Sequence, residues 1–216
     1  LREELPAEAQ VDADRIVGSA RALLALLQEV LHLARLEAGQ VHPVFEPVSV
    51  PDAVAACFDR VRGRAEGSEL ALGPVEVEQV VTDPARICEL LVHLLDNGLK
   101  FARGGRVELS VRAEPGDDGP EVVFRVRDDG VGVRPEDRER IFEAFTQADS
   151  SATREHGGAG LGLAVARQIA RVLGGSLRVD SEPGSGAVFE LRLPDVAVTT
   201  VEGQGQDLCV LVIDDD

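Results

Sequence analysis

The sequence predicts an α+β protein: an α/β sandwich, with a mixed sheet covered by helices on one face, preceded by a helical-hairpin segment. Three observations predict it. Residues 14–38 carry Ile16, Ala20, Leu23, Leu27, Val30 and Ala34 at steps of 4, 3, 4, 3 and 4, the spacing of a left-handed helical seam. Residues 107–113 and 122–127 alternate apolar with charged side chains, as strands half buried on one face do. Between and after these runs lie helical stretches apolar along one side, at 84–100 and 161–173, which cover a sheet when strands and helices intermix.

In chain order, residues 1–13 supply the end of a preceding helix and a turn at Pro6. Residues 14–38 follow as a helix whose extra leucines (Leu24, Leu26, Leu31, Leu33) widen the stripe, and Gly39 stops it. A lone helix cannot bury that stripe, so it needs a partner helix or its own globular domain. Residues 40–51 hold three prolines and read as a linker with an extended piece at 44–48. Residues 50–64 read as a helix capped near Ser49, with Pro51 in its first turn. Two short strands fit 70–81, and Asp83-Pro84 opens the helix through Lys100, apolar at Ile87, Leu90, Leu91, Leu94, Leu95 and Leu99. A hairpin follows, its strands joined by the loop 115–120. Residues 129–135 are a glycine-containing turn and 135–145 a short helical pattern. The polar stretch 146–160 reads as a long mobile loop. The helix at 161–173 ends at Gly174-Gly175, and strands at 176–179 and 187–193 flank a turn at 183–186. Residues 195–206 read as linker, and 208–213 as an apolar strand ahead of Asp214, Asp215 and Asp216.

The 216 residues carry a formal net charge of −17, a field that repels nucleic acid and anionic lipid. Tyr and Trp are absent, so no aromatic platform exists for stacking single-stranded bases. Cys57, Cys88 and Cys209 make an odd count without a CxxC, against a disulfide frame or zinc knuckle. No uninterrupted run of about 18 apolar residues is present, so no membrane contact is expected in this segment. Nor does a charged stretch followed by an apolar one open the chain as a signal peptide does. The expected setting is cytoplasmic, any membrane anchor lying upstream. A chain that begins at Leu1 without Met reads as part of a longer protein.

Four clusters carry chemistry. In HLLDNGLK, His93 and Asn97 are four apart and share a helix face, with Lys100 a turn further on. Asn supplies a hard oxygen to Mg²⁺, and Lys pairs with phosphate; the plain alternative is a half-buried His and a surface Asn. In VRDDGVGV, a strand ends in acids before Gly130 and Gly132, which let backbone approach a flat ligand or turn with positive φ; the alternative is an ordinary Asp-Gly turn. In GGAGLGLAVARQIA, Gly158, Gly160 and Gly162 precede a helix whose free N–H groups and positive end seat an anion. This is neither GxGxxG directly after a strand nor a P-loop, since no GK[ST] follows. Arg154 reaches toward phosphate from the preceding loop. In LCVLVIDDD, a strand ends in adjacent acids, with Asp214 and Asp215 as candidate Mg²⁺ ligands.

Taken in order, these clusters resemble the ATP-binding domain of sensor histidine kinases, within the superfamily that also holds gyrase, Hsp90 and MutL. HLLDNGLKF resembles the N box, DDGVGV the G1 box, IFEAFTQAD the F box, REHGGAGLGLAVAR the G2 box, and EPGSGAVFELRLP the closing strand pair. LARLEAGQ resembles the end of the second helix of a dimerisation and histidine-phosphotransfer hairpin, and VLVIDDD the first strand of a receiver domain, so the type is hybrid. The resemblance divides the chain into partial dimerisation helices at 1–39, a catalytic ATP-binding domain at 40–196, a linker at 197–207 and a receiver strand at 208–216.

The resemblance implies ATP with Mg²⁺ on Asn97, Lys100 on phosphate, and His93 assisting γ-phosphoryl transfer. It implies Asp128 on the adenine amino group, with Gly130 and Gly132 shaping the base pocket. Phe142 and Phe145 would anchor the lid, while Arg154, Gly158, Gly160, Leu161 and Gly162 hold phosphate. Asp214 and Asp215 would bind metal only in a complete receiver. Departures are Ala159 where Thr or Ser is frequent, His156 where an aromatic is common, and Phe101 without a phenol. No H-E-x-R-T-P motif occurs, which puts the phosphoacceptor His upstream of Leu1. The implied partners are a second copy, through the 16–34 seam, and a response-regulator receiver domain. The competing reading is a catalytically weak regulatory module that binds a partner kinase through that seam. A water-activating clamp like gyrase would carry Glu four residues before the Asn, where this chain has His93.

Overall fold

The computed structural model describes residues 7–65, 67–102, 104–116, 119–146, 159–194 and 198–200. Its first element, α1 (Ala7–Glu37), starts earlier than the sequence suggests: 7–13 continue the helix rather than ending a preceding one. The helix has two apolar faces. Leu33 and Leu36 are buried and Leu26 and Val30 partly so, against the domain that follows, while Gln168 of a later helix donates to the Leu36 carbonyl at 3.5 Å. Ile16, Leu24, Leu31, Leu23 (60% exposed) and Leu27 (52% exposed) face outward. The seam is therefore mostly open, Val30 being its one partly covered member. By length and composition Gln10–Glu37 is apolar enough to cross a membrane, which corrects the expectation that no segment qualifies. Ala, Leu and Val are dense enough there to keep the mean hydropathy high without an uninterrupted apolar run.

β1 (Glu46–Ser49) leads into α2 (Val50–Val61), where Ser49 Oγ accepts the Asp52 N–H and Pro51 occupies the first turn, as the sequence suggests. β2 (Glu69–Val75) and β3 (Val77–Thr82) follow. α3 (Pro84–Phe101) is capped by Asp83, whose Oδ1 accepts the N–H groups of Ala85 and Arg86, each at 2.9 Å. The cap satisfies two of the donors every helix start leaves open. The hairpin β4 (Arg106–Gly116) and β5 (Gly119–Asp128) is longer than its alternating core, running through both prolines of the expected loop. The helical pattern after it is two 3₁₀ turns, Pro135–Asp137 and Arg140–Phe142. α4 (Gly162–Val172) ends at Gly174, and β6 (Ser176–Ser181) and β7 (Ala187–Leu193) close the domain.

The main sheet has the order β2-β4-β5-β7-β6, with β2 parallel to β4 and the other pairs antiparallel. Helices α2, α3 and α4 cover one face, and the core lies between: Leu90, Leu91, Leu94, Leu95, Val126, Ile169, Phe189 and Leu191 are all within 1% of full burial. On the uncovered face Arg125 and Arg192 reach Glu114, Glu121 and Glu190 across three strands, at 2.6–3.2 Å for Arg125–Glu114, Arg192–Glu114, Arg192–Glu121 and Arg192–Glu190. Opposite charges on neighbouring strands keep that face wet without strand-to-strand repulsion. A second sheet has the order β1-β3-β8, and its β8 (Val198–Thr200) lies in the stretch the sequence reads as linker. The expected loop at 147–158 and the expected strand at 208–213 lie outside the described residues.

Candidate nucleotide site

The site lies along one stripe of α3. His93, Asn97, Lys100 and Phe101 are half-buried and fall on successive turns beside the core-facing leucines. At one end, a methyl added to Gly162 would lie 3.2 Å from His93 Nδ1, so α3 meets the start of α4 here. At the other end, a Cβ on Gly130 would lie 3.0 Å from the Phe101 carbonyl oxygen, so α3 meets the turn after β5. Eight residues at 1.5 Å rise separate His93 from Phe101, about 12 Å.

Asp128, 3% exposed, ends β5. Its Oδ1 accepts the Gly130 N–H at 2.9 Å. Burial pushes its carboxyl above the usual range, outweighing the backbone N–H groups of Gly130 and Ala187, which pull the other way. A group with a raised folded value lends stability at low pH and loses it as pH rises through that value. The ionised Asp128 is thus a stability cost at neutral pH. Asp128→Asn is therefore expected to leave the empty fold no less stable at pH 8 in a thermal melt.

The turn carrying Gly130 and Gly132 is braced by the β6–β7 turn. Ser181 Oγ accepts the Val133 N–H at 2.8 Å and donates to the Gly186 carbonyl at 2.6 Å, and the Gly184 N–H donates to the Val131 carbonyl at 2.8 Å. Gly132 has φ +72, and a Cβ there would fall 2.0 Å from the Glu182 carbonyl oxygen. Beside this turn lies an open hollow of about 500 Å³ lined by Phe101, Ala102, Gly104, Gly105, Asp129, Gly130 and Val131, large enough for a planar base.

At the α4 end, Leu161 is buried in the N-cap position without a side-chain cap. The first backbone bond of the turn is Val165 N–H to the Leu161 carbonyl, which leaves the N–H groups of 162–164 without helical partners, the arrangement that favours an anion. Gly160 has φ +69 and its carbonyl accepts the Phe145 N–H at 3.1 Å. Burial lowers the His93 imidazole below its ordinary value despite Glu89, Glu29 and Asp96 nearby. Burial likewise lowers Lys100, whose Nζ stands 5.0 Å over the Phe101 ring. Lys100 thus stands against Phe101, which lines the hollow.

The two phenylalanines of 141–149 part company. Phe142, 6% exposed, packs edge-on against Phe189 at 6.3 Å with the Arg167 guanidinium over its ring. Phe145 is 63% exposed, with φ 62. Of the expected site residues, the structure brings His93, Asn97, Lys100, Asp128, Gly130 and Gly162 along one line. Arg154, Gly158, Asp214 and Asp215 lie outside the described residues. Sequence reasoning missed Gly98, where a Cβ would meet Val107 at 2.9 Å and the Asp128 Cβ at 3.4 Å. A glycine inside a strongly apolar helix was the available signal. It missed Ser181 and Gly186 as well, which carry none.

A mixed sheet covered by helices on one face, with a groove between an asparagine helix, an Asp-Gly turn and a glycine-led helix, defines a nucleotide-binding ATPase domain. The chain belongs to the family of histidine kinase-, DNA gyrase B- and HSP90-like ATPases, whose model matches residues 82–197. It is 35% identical over 184 residues to the autoinducer 2 sensor kinase/phosphatase LuxQ of Vibrio cholerae, covering 83% of this chain and 21% of that protein. It is 31% identical over 198 residues to the signal transduction histidine-protein kinase BarA of Escherichia coli, covering 88% of this chain and again 21% of that protein. The chain thus spans about a fifth of these relatives' length. Among solved structures, full-length ShkA in complex with AMPPNP superposes with a TM-score of 0.78 at 34% identity, covering 92% of this chain and 41% of that one.

Proposed function

We propose that this chain is the ATP-binding kinase core of a hybrid sensor histidine kinase in two-component signalling. In this reading it transfers the ATP γ-phosphoryl group to a histidine upstream of Leu1, from which the group passes to receiver aspartates. The observation that supports it most is the α3 stripe, with His93 against Gly162 and Phe101 against Gly130, a span that suits a base at one end and a triphosphate at the other.

Among the described residues no group of three or more His, Cys, Asp and Glu side chains could hold a metal. Among those residues a metal held by protein alone does not fit. One asparagine oxygen with phosphates and water does fit Mg²⁺, which takes few protein ligands and completes its shell with substrate. Asn97 is that ligand. When bound, Mg²⁺ spreads negative charge off the phosphoryl oxygens. Asp128 accepts from the adenine amino group, Gly130 and Gly132 keep the base pocket open, and the N–H groups at the start of α4 hold phosphate. A neutral His93 donates its ring N–H to a γ-phosphate oxygen without adding charge, and it stands where a hydrolytic clamp would carry glutamate. Arg154 and Gly158 complete the phosphate seat, and Asp214 and Asp215 serve a receiver. The test uses the full-length protein and ATP labelled in its γ-phosphate. Acid-labile, alkali-stable label on the protein, lost in Asn97→Ala, is the expected outcome; no label on protein from active preparations would overturn it.

The open face of α1 pairs with a second copy, and the chain works as a cytoplasmic homodimer. Ile16, Leu23, Leu24, Leu27 and Leu31 form an outward stripe, and burying each such side chain is worth about 1.5–3 kcal/mol. Sedimentation should show a dimer at micromolar concentration, and Leu23→Glu with Leu27→Glu should make it a monomer. A wild-type monomer at high concentration would count against the pairing.

A further inference from the structure

Cys57 of α2 and Cys88 of α3, 31 residues apart, point at each other with sulfurs 3.3 Å apart, and both are free thiols. Cys57 is fully buried, whereas Cys88 is partly exposed. Arg60 Nη1 lies 3.4 Å from the Cys88 sulfur. Two donors, the Cys57 S–H and the Arg60 guanidinium, thus converge on Cys88. The partly exposed Cys88 is the sulfur a soluble oxidant reaches, whereas a buried thiol is the slower partner. Burial pushes the Cys57 thiol well up, which leaves Cys88 as the sulfur that reacts first.

We propose that Cys57 and Cys88 form a reversible disulfide, made by hydrogen peroxide and broken by a thiol reductant, that clamps α2 to α3 and weakens nucleotide binding. The Cys88 thiolate attacks one peroxide oxygen, the O–O bond breaks, and hydroxide leaves a sulfenic acid on Cys88. The Cys57 sulfur then attacks the Cys88 sulfur. The S–S bond forms, the S–O bond breaks, and the hydroxyl departs as water with the Cys57 proton. The two thiols lose two electrons, and the peroxide ends as two waters. Forming the bond brings the sulfurs to about 2.05 Å, so the Cys88 end of α3 shifts toward α2. The next turn and a half carries His93, already close against Gly162, and then Asn97. A shift of α3 therefore moves His93 relative to Gly162, where a methyl on the glycine would already lie 3.2 Å from the ring, and misaligns the stripe. The coupling to nucleotide rests on the function proposed above; the bond itself does not.

The test uses the chain with Cys209→Ser, so that only the pair remains, treated folded with hydrogen peroxide. Peptide mass spectrometry should find the 57–88 disulfide, absent after dithiothreitol, and Cys57→Ser should instead leave a Cys88 sulfenic acid that dimedone traps. Two free thiols after treatment, or a bond formed only in urea, would overturn the proposal. Calorimetry with AMPPNP and Mg²⁺ then compares the two forms. A severalfold weaker oxidised form supports the coupling, and equal affinities with the bond in place overturn it. A reduced form that binds no nucleotide would instead count against the proposed function while leaving the bond result standing.

Discussion

Asn97→Ala is expected to weaken binding of a magnesium–nucleotide about ten- to a hundredfold while leaving the fold intact. Asn97 is half-buried in the last third of α3, between the turn at His93 that meets α4 and the end at Phe101 that meets the β5 turn. Its amide makes no hydrogen bond to another described residue, so its removal orphans nothing inside the protein, and alanine is the better helix former. The loss falls on the ligand. One hydrogen bond or metal contact to a charged group is worth about 1.5–3 kcal/mol, and each 1.4 kcal/mol is about tenfold in affinity. Calorimetry with AMPPNP should show the loss with Mg²⁺ present and little difference between variant and wild type without it. A lowered melting temperature would mean that Asn97 is structural.

Gly186→Ala is expected to be the most damaging single methyl in the domain. Gly186 has φ +75, and a Cβ there would lie 1.9 Å from the Asp128 carbonyl oxygen and 3.1 Å from the Asp129 Cα. Both neighbours are backbone, so no side-chain rotation relieves the overlap. The β5–β7 register pairs Asp128 with Ala187, so any shift moves Asp128 itself. Gly184 in the same turn provides the control: φ is +80, but nothing lies within 4 Å of its Cβ position. Gly184→Ala should cost only the left-handed strain, about 1–2 kcal/mol. Gly186→Ala should cost about 4 kcal/mol or more, the range of severe core lesions, or fail to fold. Urea titration of the two variants separates strain from collision; equal losses would mean that the β6–β7 turn does not seat on Asp128 as described.

Much of this was legible because the signals are local. Asp83-Pro84 announces α3, Ser49 and Pro51 announce α2, and the alternation at 107–113 and 122–127 announces the hairpin. The 4, 3, 4, 3, 4 steps predicted α1 and its need for a partner. They did not show that Leu26, Val30, Leu33 and Leu36 form a second face against the domain, because that depends on where the chain returns more than 100 residues later. The parallel pairing of β2 with β4, and the capture of Val198–Thr200 by β3, are likewise matters of register between distant segments, on which no local propensity bears. Asn97 and Asp128 stood out by residue type and position. Gly186 and Ser181 act only by touching the backbone of 128–133, and a contact of that kind leaves no periodic mark. Phe142 and Phe145 look alike in sequence, yet one is buried and the other exposed, because the backbone turns into positive φ at 145.

The most direct test is a crystal structure of this chain with AMPPNP and Mg²⁺. The base is expected in the hollow between Phe101 and Val131 with its amino group on Asp128, the metal on Asn97, and the phosphates at the start of α4 beside His93. A nucleotide seated instead in the cavity of about 310 Å³ between α1 and α4, lined by Leu33, Phe142, Arg167 and Arg171, would contradict it.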